Sequence, residues 1–129
     1  MDWKLEVVPV PVSDIDKALA FYRDQFGFAV DLDDQVSEDE RLVQLTPPGS
    51  GCSIQLKTTE MPPGSLRGLQ IVVDDVAAAR AELLDRGADI SGVRHFEAGA
   101  WVDGPGGRWN SFAFLSDPDG NTWVLQERG

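Results

Sequence analysis

His95 is the only histidine of this sequence, and it is the side chain whose charge changes most readily near neutral pH. Glu97 and Asp103 follow it closely, and a further carboxylate, Glu127, lies on the final predicted strand. Imidazole and carboxylate groups bind divalent metals or transfer protons when the fold brings them together. These four residues are therefore the candidates for catalysis, although a single histidine on a strand is more often a hydrogen-bonded residue at the rim of a sheet.

A second set of polar residues is neutral and lies on predicted strands. These residues alternate with apolar ones, so we expect them to share the sheet face that is turned away from the helices. Amides donate and accept hydrogen bonds, which suits a polar organic ligand better than proton transfer or metal binding. The candidate ligand-binding residues of this set are Gln44, Gln55, Gln70, Thr122 and Gln126.

Two tryptophans, Trp101 and Trp109, flank the glycine-rich segment 98–108, which is predicted to be a loop with a short strand around Trp101. Indole rings at such a position can form stacking walls for a flat ligand, including a cation over the ring face. The alternative is that both rings pack against the end of the sheet or against a dimer partner. Together with His95, they complete the list of candidate ligand-binding residues.

Composition narrows the classes of function. The 129 residues include 22 acidic and 11 basic side chains, and the formal net charge of −11 repels nucleic acid and anionic membranes. The same charge is compatible with a cationic ligand. The length of 129 residues predicts one domain, residues 1–129. A single cysteine, no apolar run of about eighteen residues and no signal-peptide pattern predict a cytoplasmic protein.

The first half of the sequence predicts the element order β, α, β, β, β. Prolines 9 and 11 remove hydrogen-bond donors from the first strand, so this strand should lie at an edge or a bend of its sheet. An amphipathic helix should begin at Asp14 and end near Gly27. The predicted strands of this half cover residues 5–12, 28–32, 41–46 and 52–57.

The second half repeats this order after a linker at about 58–66 that is rich in proline. Its helix should begin after Asp75 and end at Gly87, and its strands should cover 68–73, 88–96, 109–116 and 122–127. The pattern Val-x-Val-x-Asp-Ile at 10–15 matches Ile-x-Val-x-Asp-Val at 71–76, so the chain reads as two copies of a βαβββ module. Module one covers 1–60 and module two 67–129.

The strand-to-helix junctions at 10–14 and 73–76, the segments 20–22 and 26–28, and the turn Asp117-Pro118-Asp119-Gly120-Asn121 resemble the vicinal oxygen chelate superfamily, which contains glyoxalases, bleomycin-resistance proteins and extradiol dioxygenases. The resemblance spans nearly the whole chain. It implies an α+β fold in which two tandem βαβββ modules form a curved mixed sheet around a cleft, with the helices outside. It also implies a homodimer.

Members of that superfamily that contain a metal hold it at four strand positions, and the resemblance carries these positions to Val7, Gln55, Gly68 and Val124. Two valines and a glycine offer no lone pairs from their side chains, and an amide alone is a weak ligand. We therefore expect no metal and no other cofactor.

Three hypotheses follow for function. The first is a metal-independent small-molecule binding protein, similar to the bleomycin-resistance branch, that sequesters a cationic or polar aromatic ligand. The second is a lyase or dioxygenase with a rearranged metal site drawn from His95, Glu97, Asp103 or Glu127. The third is an interaction module with a vestigial pocket, which predicts that the cleft is filled by the protein's own side chains.

Overall fold

The computed structural model describes residues 1–129, and its strands form two mixed sheets. The first half supplies one sheet in the order β1-β4-β3-β2, with β1 parallel to β4 and the other neighbours antiparallel. Its strands are β1 (Val7–Pro11), β2 (Ala29–Gln35), β3 (Arg41–Thr46) and β4 (Ser53–Lys57). The strand that contains the two prolines lies at an edge, as its missing donors require.

The second half supplies a five-stranded sheet in the order β5-β9-β8-β6-β7. Its strands are β5 (Leu69–Val73), β6 (Arg94–Glu97), β7 (Ala100–Asp103), β8 (Phe112–Ser116) and β9 (Thr122–Glu127). The hairpin of β6 and β7 adds one strand to the predicted module. The α+β fold is confirmed, with the strands divided between two sheets rather than joined in a continuous one.

Each half contributes one helix. Helix α1 (Ile15–Leu19) begins at Asp14, whose carboxylate accepts a hydrogen bond from the Lys17 amide, and continues as a wider π-helical segment, Ala20–Gln25. Helix α2 (Val76–Asp85) begins at Asp75 in the same way. Asp14 and Asp75, identified from the repeat, thus cap both helices. The longest α-helix has ten residues, and no helix combines the length and apolar composition needed to cross a bilayer.

The core lies between the helices and one face of each sheet. The π-helical segment places two consecutive residues, Phe21 and Tyr22, in this core, where their rings meet edge to face at 4.9 Å. Trp123 of β9 packs against Tyr22 and Phe26. The helix of the first half therefore packs against the sheet of the second half, which joins both halves in a single core.

The first and last residues of the turn Asp117–Asn121 are buried, and their side chains link several segments. Asp117 and Asn121 are only 5% and 0% exposed. The Asn121 amide donates to the Pro11 carbonyl at 2.8 Å and accepts from the Leu66 amide at 3.0 Å. The Asp117 carboxylate accepts from the Tyr22 hydroxyl at 2.7 Å. The most recognisable motif of the sequence is thus a structural junction between β1, the linker, α1 and β9.

Candidate functional site

Each sheet has one face covered by helices and one face turned away from them, which we call the open face. On β8 and β9 the helix-facing residues are Ala113, Leu115, Trp123 and Leu125, all of them buried. Cross-strand partners share a face, so the alternate residues of these strands lie on the open face. The alternation predicted from the sequence places Gln70, Thr122 and Gln126 there, and the structure agrees.

Four aromatic rings cover the outer half of the open face of the second sheet. The Trp101 ring lies 5.2 Å from Phe96, 5.2 Å from Phe112 and 5.0 Å from Phe114, each time edge to face. We call this group the aromatic wall. Trp101 and Phe96 are 48% and 49% exposed although they sit on strands, so the wall presents a large apolar surface to solvent.

Amides border the aromatic wall on the side of β9 and β5. Gln126 is the cross-strand partner of Phe112, and Val124 is the partner of both Phe114 and Gln70. The Gln70 amide donates to the Gln126 oxygen at 2.6 Å, and the Gln126 amide donates to the Trp109 carbonyl at 2.8 Å. The open face therefore combines a flat apolar area with adjacent neutral hydrogen-bonding groups.

The other two predicted amides lie on the first sheet. Gln44 and Gln55 are cross-strand partners on β3 and β4, and the Gln55 amide donates to the Gln44 oxygen at 3.1 Å. No cavity of the chain is lined by both this pair and the Gln70–Gln126 pair. A single chain thus does not bring the two amide pairs into one pocket.

Thr122 and Trp109 have local structural roles in the chain. The Thr122 hydroxyl accepts a hydrogen bond of 2.7 Å from the Gly68 amide, which fixes the start of β5 against β9. Trp109 adopts a positive φ of 60°, and its indole lies beside Gly129 rather than against the aromatic wall. Of the two tryptophans that flank the glycine-rich segment, only Trp101 belongs to the wall.

His95 does not lie on the open face, and the strand that contains it, Arg94–Glu97, is shorter than the predicted strand 88–96. Arg94 pairs with Phe112 across β6 and β8, so Arg94 shares the face of the aromatic wall and His95 points the opposite way. In an unbroken strand 88–96, regular alternation from the buried Ile90 would place His95 on the open face. Instead the chain breaks at Ser91 and Gly92, and this break shifts the phase by one residue.

The His95 imidazole bridges two groups at the edge of the second sheet. One ring nitrogen lies 2.9 Å from the Gly104 carbonyl and the other 2.9 Å from a Glu97 carboxylate oxygen. Both contacts are hydrogen bonds only when the ring is protonated. The contact with the Gly104 carbonyl, and then that with Glu97, raises the pKa of His95 above its usual value of about 6.5.

These contacts predict a pH-dependent contribution of His95 to stability. Since its pKa is higher in the folded protein, the contribution is fully present below pH of about 6.5 and is lost as pH rises through the folded-state pKa. The melting temperature of the wild type minus that of His95→Gln should therefore be larger at pH of about 5.5 than at pH of about 8.5. A difference that stays constant across this range would show that the imidazole charge does not stabilise the fold.

The residues at the four expected ligand positions do not fit a metal ion. Val7, Gly68 and Val124 have no donor atom in their side chains, and the Gln55 amide is paired with Gln44. Glu127 faces the helix layer, where its carboxylate accepts a hydrogen bond from the Val76 amide at the start of α2. No group of three or more histidine, cysteine, aspartate or glutamate side chains has a geometry that could hold a metal ion.

A separate apolar cavity of about 320 Å³ lies on the helix side of the second sheet. It is enclosed by α2, the edge strand β5 and the prolines that follow β3, and its lining includes Ile71, Leu83 and Arg86. None of the predicted ligand-binding residues lines it. This cavity is therefore distinct from the open face.

The sequence candidates included Trp101 but not the three phenylalanines of the wall. A signal for two of them exists in the sequence, since Phe112 and Phe114 alternate with buried residues on one strand. Phe96 and Trp101 meet only because β6 and β7 form a hairpin, and Arg94 aligns with Phe112 through the pairing of β6 with β8. The sequence does not specify these registers.

Comparisons with known proteins point to one protein family over nearly the whole chain. The model of the Glyoxalase/Bleomycin resistance protein/Dioxygenase superfamily matches residues 4–125. A crystal structure of TnmS3, an antibiotic binding protein from Streptomyces sp. CB03234, is 37% identical with a TM-score of 0.79, over 99% of this chain and 98% of that one. No curated protein matches the chain.

Two further solved structures are similar over almost their full lengths. A glyoxalase/bleomycin resistance protein from Streptomyces sp. CB03234 is 38% identical with a TM-score of 0.75, over 96% of this chain and 100% of that one. A member of the Glyoxalase/bleomycin resistance protein/dioxygenase superfamily from Sphaerobacter thermophilus DSM 20745 is 26% identical with a TM-score of 0.73, over 98% of both chains.

Proposed function

Because the chain belongs to the Glyoxalase/Bleomycin resistance protein/Dioxygenase superfamily, we propose that it is a small-molecule binding protein that holds a polar aromatic ligand on the open face of the second sheet. In this proposal the protein sequesters its ligand without a metal ion and without chemical change. The similarity to an antibiotic binding protein supports small-molecule binding in general and does not identify the ligand.

The observation that carries the proposal is the aromatic wall beside a pair of amides. Trp101 and Phe96 are about half exposed, and Gln126 is the cross-strand partner of Phe112 in the wall. Aromatic rings held on paired strands offer a large contact area with little loss of side-chain entropy, so a flat ligand can stack there at low cost. The amides can then satisfy the polar groups at the edge of that ligand.

The side chains support this proposal over the other two hypotheses. A rearranged metal site would need several of His95, Glu97, Asp103 and Glu127 to converge, and no three of them form a group that could hold a metal ion. His95 and Glu97 lie on one face of β6, Asp103 faces the opposite way, and Glu127 faces the helix layer. A vestigial pocket would be filled by the protein's own side chains, whereas the Trp101 ring is open to solvent.

We also propose that the site is completed in a homodimer, in which the first sheet of one protomer faces the second sheet of its partner. The Gln44–Gln55 pair and the aromatic wall line no common cavity within one chain, and β1 and β5 each have an unpaired edge. Alternating apolar residues precede β1, and one of them, Trp3, is 87% exposed. Exposed apolar side chains next to unpaired edges favour association with a second copy.

The cytoplasmic location stays a prediction.

Sedimentation velocity tests the dimer. We expect the wild type to sediment with twice the mass of the chain and Trp3→Ser to dimerise roughly 30-fold more weakly, because a buried tryptophan at an interface contributes about 2 kcal/mol. Val36→Ser, which removes an exposed apolar side chain at the end of the β2–β3 hairpin, is the control and should remain a dimer. A monomeric wild type at the concentrations used for binding would overturn the dimer proposal.

A fluorescence titration tests the proposed function. Pyrenemethanol is a flat, neutral and polar aromatic probe whose binding to the wall should quench tryptophan emission. We expect saturable binding with one probe per chain in the presence of excess EDTA, and the same dissociation constant in a separate titration without EDTA in which nickel, manganese or zinc is present. Binding that appears only with a stoichiometric metal ion would contradict the proposal, as would the absence of saturable binding.

A further inference from the structure

Arg94 is the only cationic residue in the strands of the open face of the second sheet. It is the cross-strand partner of Phe112 and Asp103, and its guanidinium carbon lies 5.9 Å from the centre of the Phe114 ring. Its side chain is 43% exposed. The charge therefore sits at the edge of the aromatic wall, where a ligand stacked on Trp101 or Phe114 would end.

The donors of Arg94 are not used within the chain. Its closest carboxylate belongs to Asp103, whose oxygen lies 3.9 Å from the Arg94 Nε atom, too far for a hydrogen bond. The Asp103 side chain is fully exposed, so this ion pair contributes little. A guanidinium presents five N–H donors in a planar fork that matches a carboxylate, and its position over the Phe114 ring keeps that fork next to the wall.

The sign of this local charge is opposite to that of the whole protein. The net charge of −11 favours a cationic ligand at long range, but at physiological salt such a field is screened over roughly 8 Å. A ligand on the aromatic wall contacts Arg94 directly, and the open face offers only Asp103 as a carboxylate in its strands. Local contact should therefore outweigh the distant charges.

From this geometry we propose that Arg94 is a specificity-determining residue, which selects flat aromatic ligands that carry an anionic oxygen group, a carboxylate above all, at one edge. This inference rests on the proposed function, because it assumes that the ligand stacks on the aromatic wall. It narrows the polar aromatic ligands of the proposed function to anionic ones, and it replaces the cationic ligand that the net charge suggests.

Three probes with one ring system test the inference: pyrenecarboxylate, pyrenemethanol and pyrenemethylammonium. Titrated at neutral pH and physiological salt, the carboxylate should bind the wild type at least about tenfold more tightly than the ammonium, as expected for a charged hydrogen bond. Arg94→Gln should remove this preference, and it should weaken pyrenemethanol binding much less than pyrenecarboxylate binding, because a neutral hydroxyl accepts a weaker hydrogen bond than a carboxylate does. Arg94→Lys, which keeps the charge but loses the fork, should retain part of the preference.

Arg23→Gln is the matched control. It changes the net charge by the same amount, and Arg23 lies in the helix layer, where it pairs with Asp24. This variant should keep the full preference for the carboxylate. If Arg23→Gln and Arg94→Gln reduce the preference equally, the effect comes from net charge and the assignment of Arg94 is wrong.

The outcomes distinguish a failure of the Arg94 inference from a failure of the proposed function. If all three probes bind and Trp101→Ala weakens all of them, but Arg94→Gln leaves their order unchanged, the role of Arg94 is overturned and the proposed function stands. If pyrenemethanol shows no saturable binding to the wild type, the proposed function fails and the inference fails with it.

Discussion

Replacing Asp117 by alanine is expected to lower the free energy of unfolding by about 3–5 kcal/mol, because several donors lose their shared acceptor and each unsatisfied buried donor costs about 1–3 kcal/mol. The carboxylate accepts hydrogen bonds from the Tyr22 hydroxyl and the Asn121 side chain, both at 2.7 Å, and from the backbone amides of Asp119 and Asn121, both at 2.9 Å. Alanine leaves these donors buried without an acceptor. Urea unfolding followed by circular dichroism measures the change.

The control for this substitution is Asp74→Ala, because Asp74 is almost fully exposed and only 3.7 Å from Arg128 in a loose ion pair. It should change the stability by less than about 0.5 kcal/mol. If Asp117→Ala does not fold, Tyr22→Phe removes one donor to Asp117 and the acceptor of the Trp123 indole, and it should cost about 1–3 kcal/mol. A loss below about 1 kcal/mol for Asp117→Ala would contradict the structural role of the turn.

The Tyr22 hydroxyl is held in its neutral form by this network. Burial, and then the nearby Asp117 carboxylate, raise the pKa of Tyr22 above its ordinary value of 10.0. The hydroxyl therefore stays protonated and donates to Asp117, and it accepts from the Trp123 indole at 2.9 Å. The hydroxyl uses its donor and an acceptor site within the core, so Tyr22 is a structural residue.

Trp101→Ala is expected to weaken binding of pyrenemethanol by roughly 30-fold, or about 2 kcal/mol, the loss typical of an aromatic residue at the centre of an interface. The indole contacts all three phenylalanines of the wall. Its removal takes away the largest stacking surface and frees the neighbouring rings to move. Isothermal titration calorimetry, with the folded state verified by circular dichroism, measures the loss.

Val102→Ala is the control for this prediction. Val102 is the next residue of β7, is also partly exposed, and pairs with His95 on the opposite face. It should leave the affinity for pyrenemethanol within about twofold of the wild type, since no part of its side chain reaches the aromatic wall. Equal losses for both variants would show that β7 contributes stability rather than a ligand surface.

Much of the fold could be predicted from local chemistry. The strands 41–46 and 122–127 have the predicted limits, because their alternation of buried and half-buried residues is regular and turn residues bound them. Asp14 and Asp75 could be identified as helix caps from a short repeat. The turn 117–121 was recognisable because aspartate, asparagine and glycine each have a distinct role there, which the network with Tyr22 and Pro11 makes explicit.

The candidate site was less predictable, because it depends on how distant strands align. Gln70 and Gln126 follow from alternation within their own strands, and both lie on the open face. The sheet face of His95 could not be predicted from alternation, because the break at Ser91 and Gly92 shifts every later residue of that strand to the other face. The neighbourhood of Arg94 and the aromatic wall arises from pairings between β6, β7 and β8 that no local pattern encodes.

The most direct test of the account is the position of a bound probe. Intermolecular nuclear Overhauser effects between pyrenemethanol and the isotope-labelled protein, recorded in excess EDTA, identify the side chains that the probe touches. We predict contacts with the rings of Trp101, Phe112 and Phe114. Contacts with Ile71 and Leu83 in the cavity behind the second sheet, or with Val102 on the opposite face of β7, would contradict it.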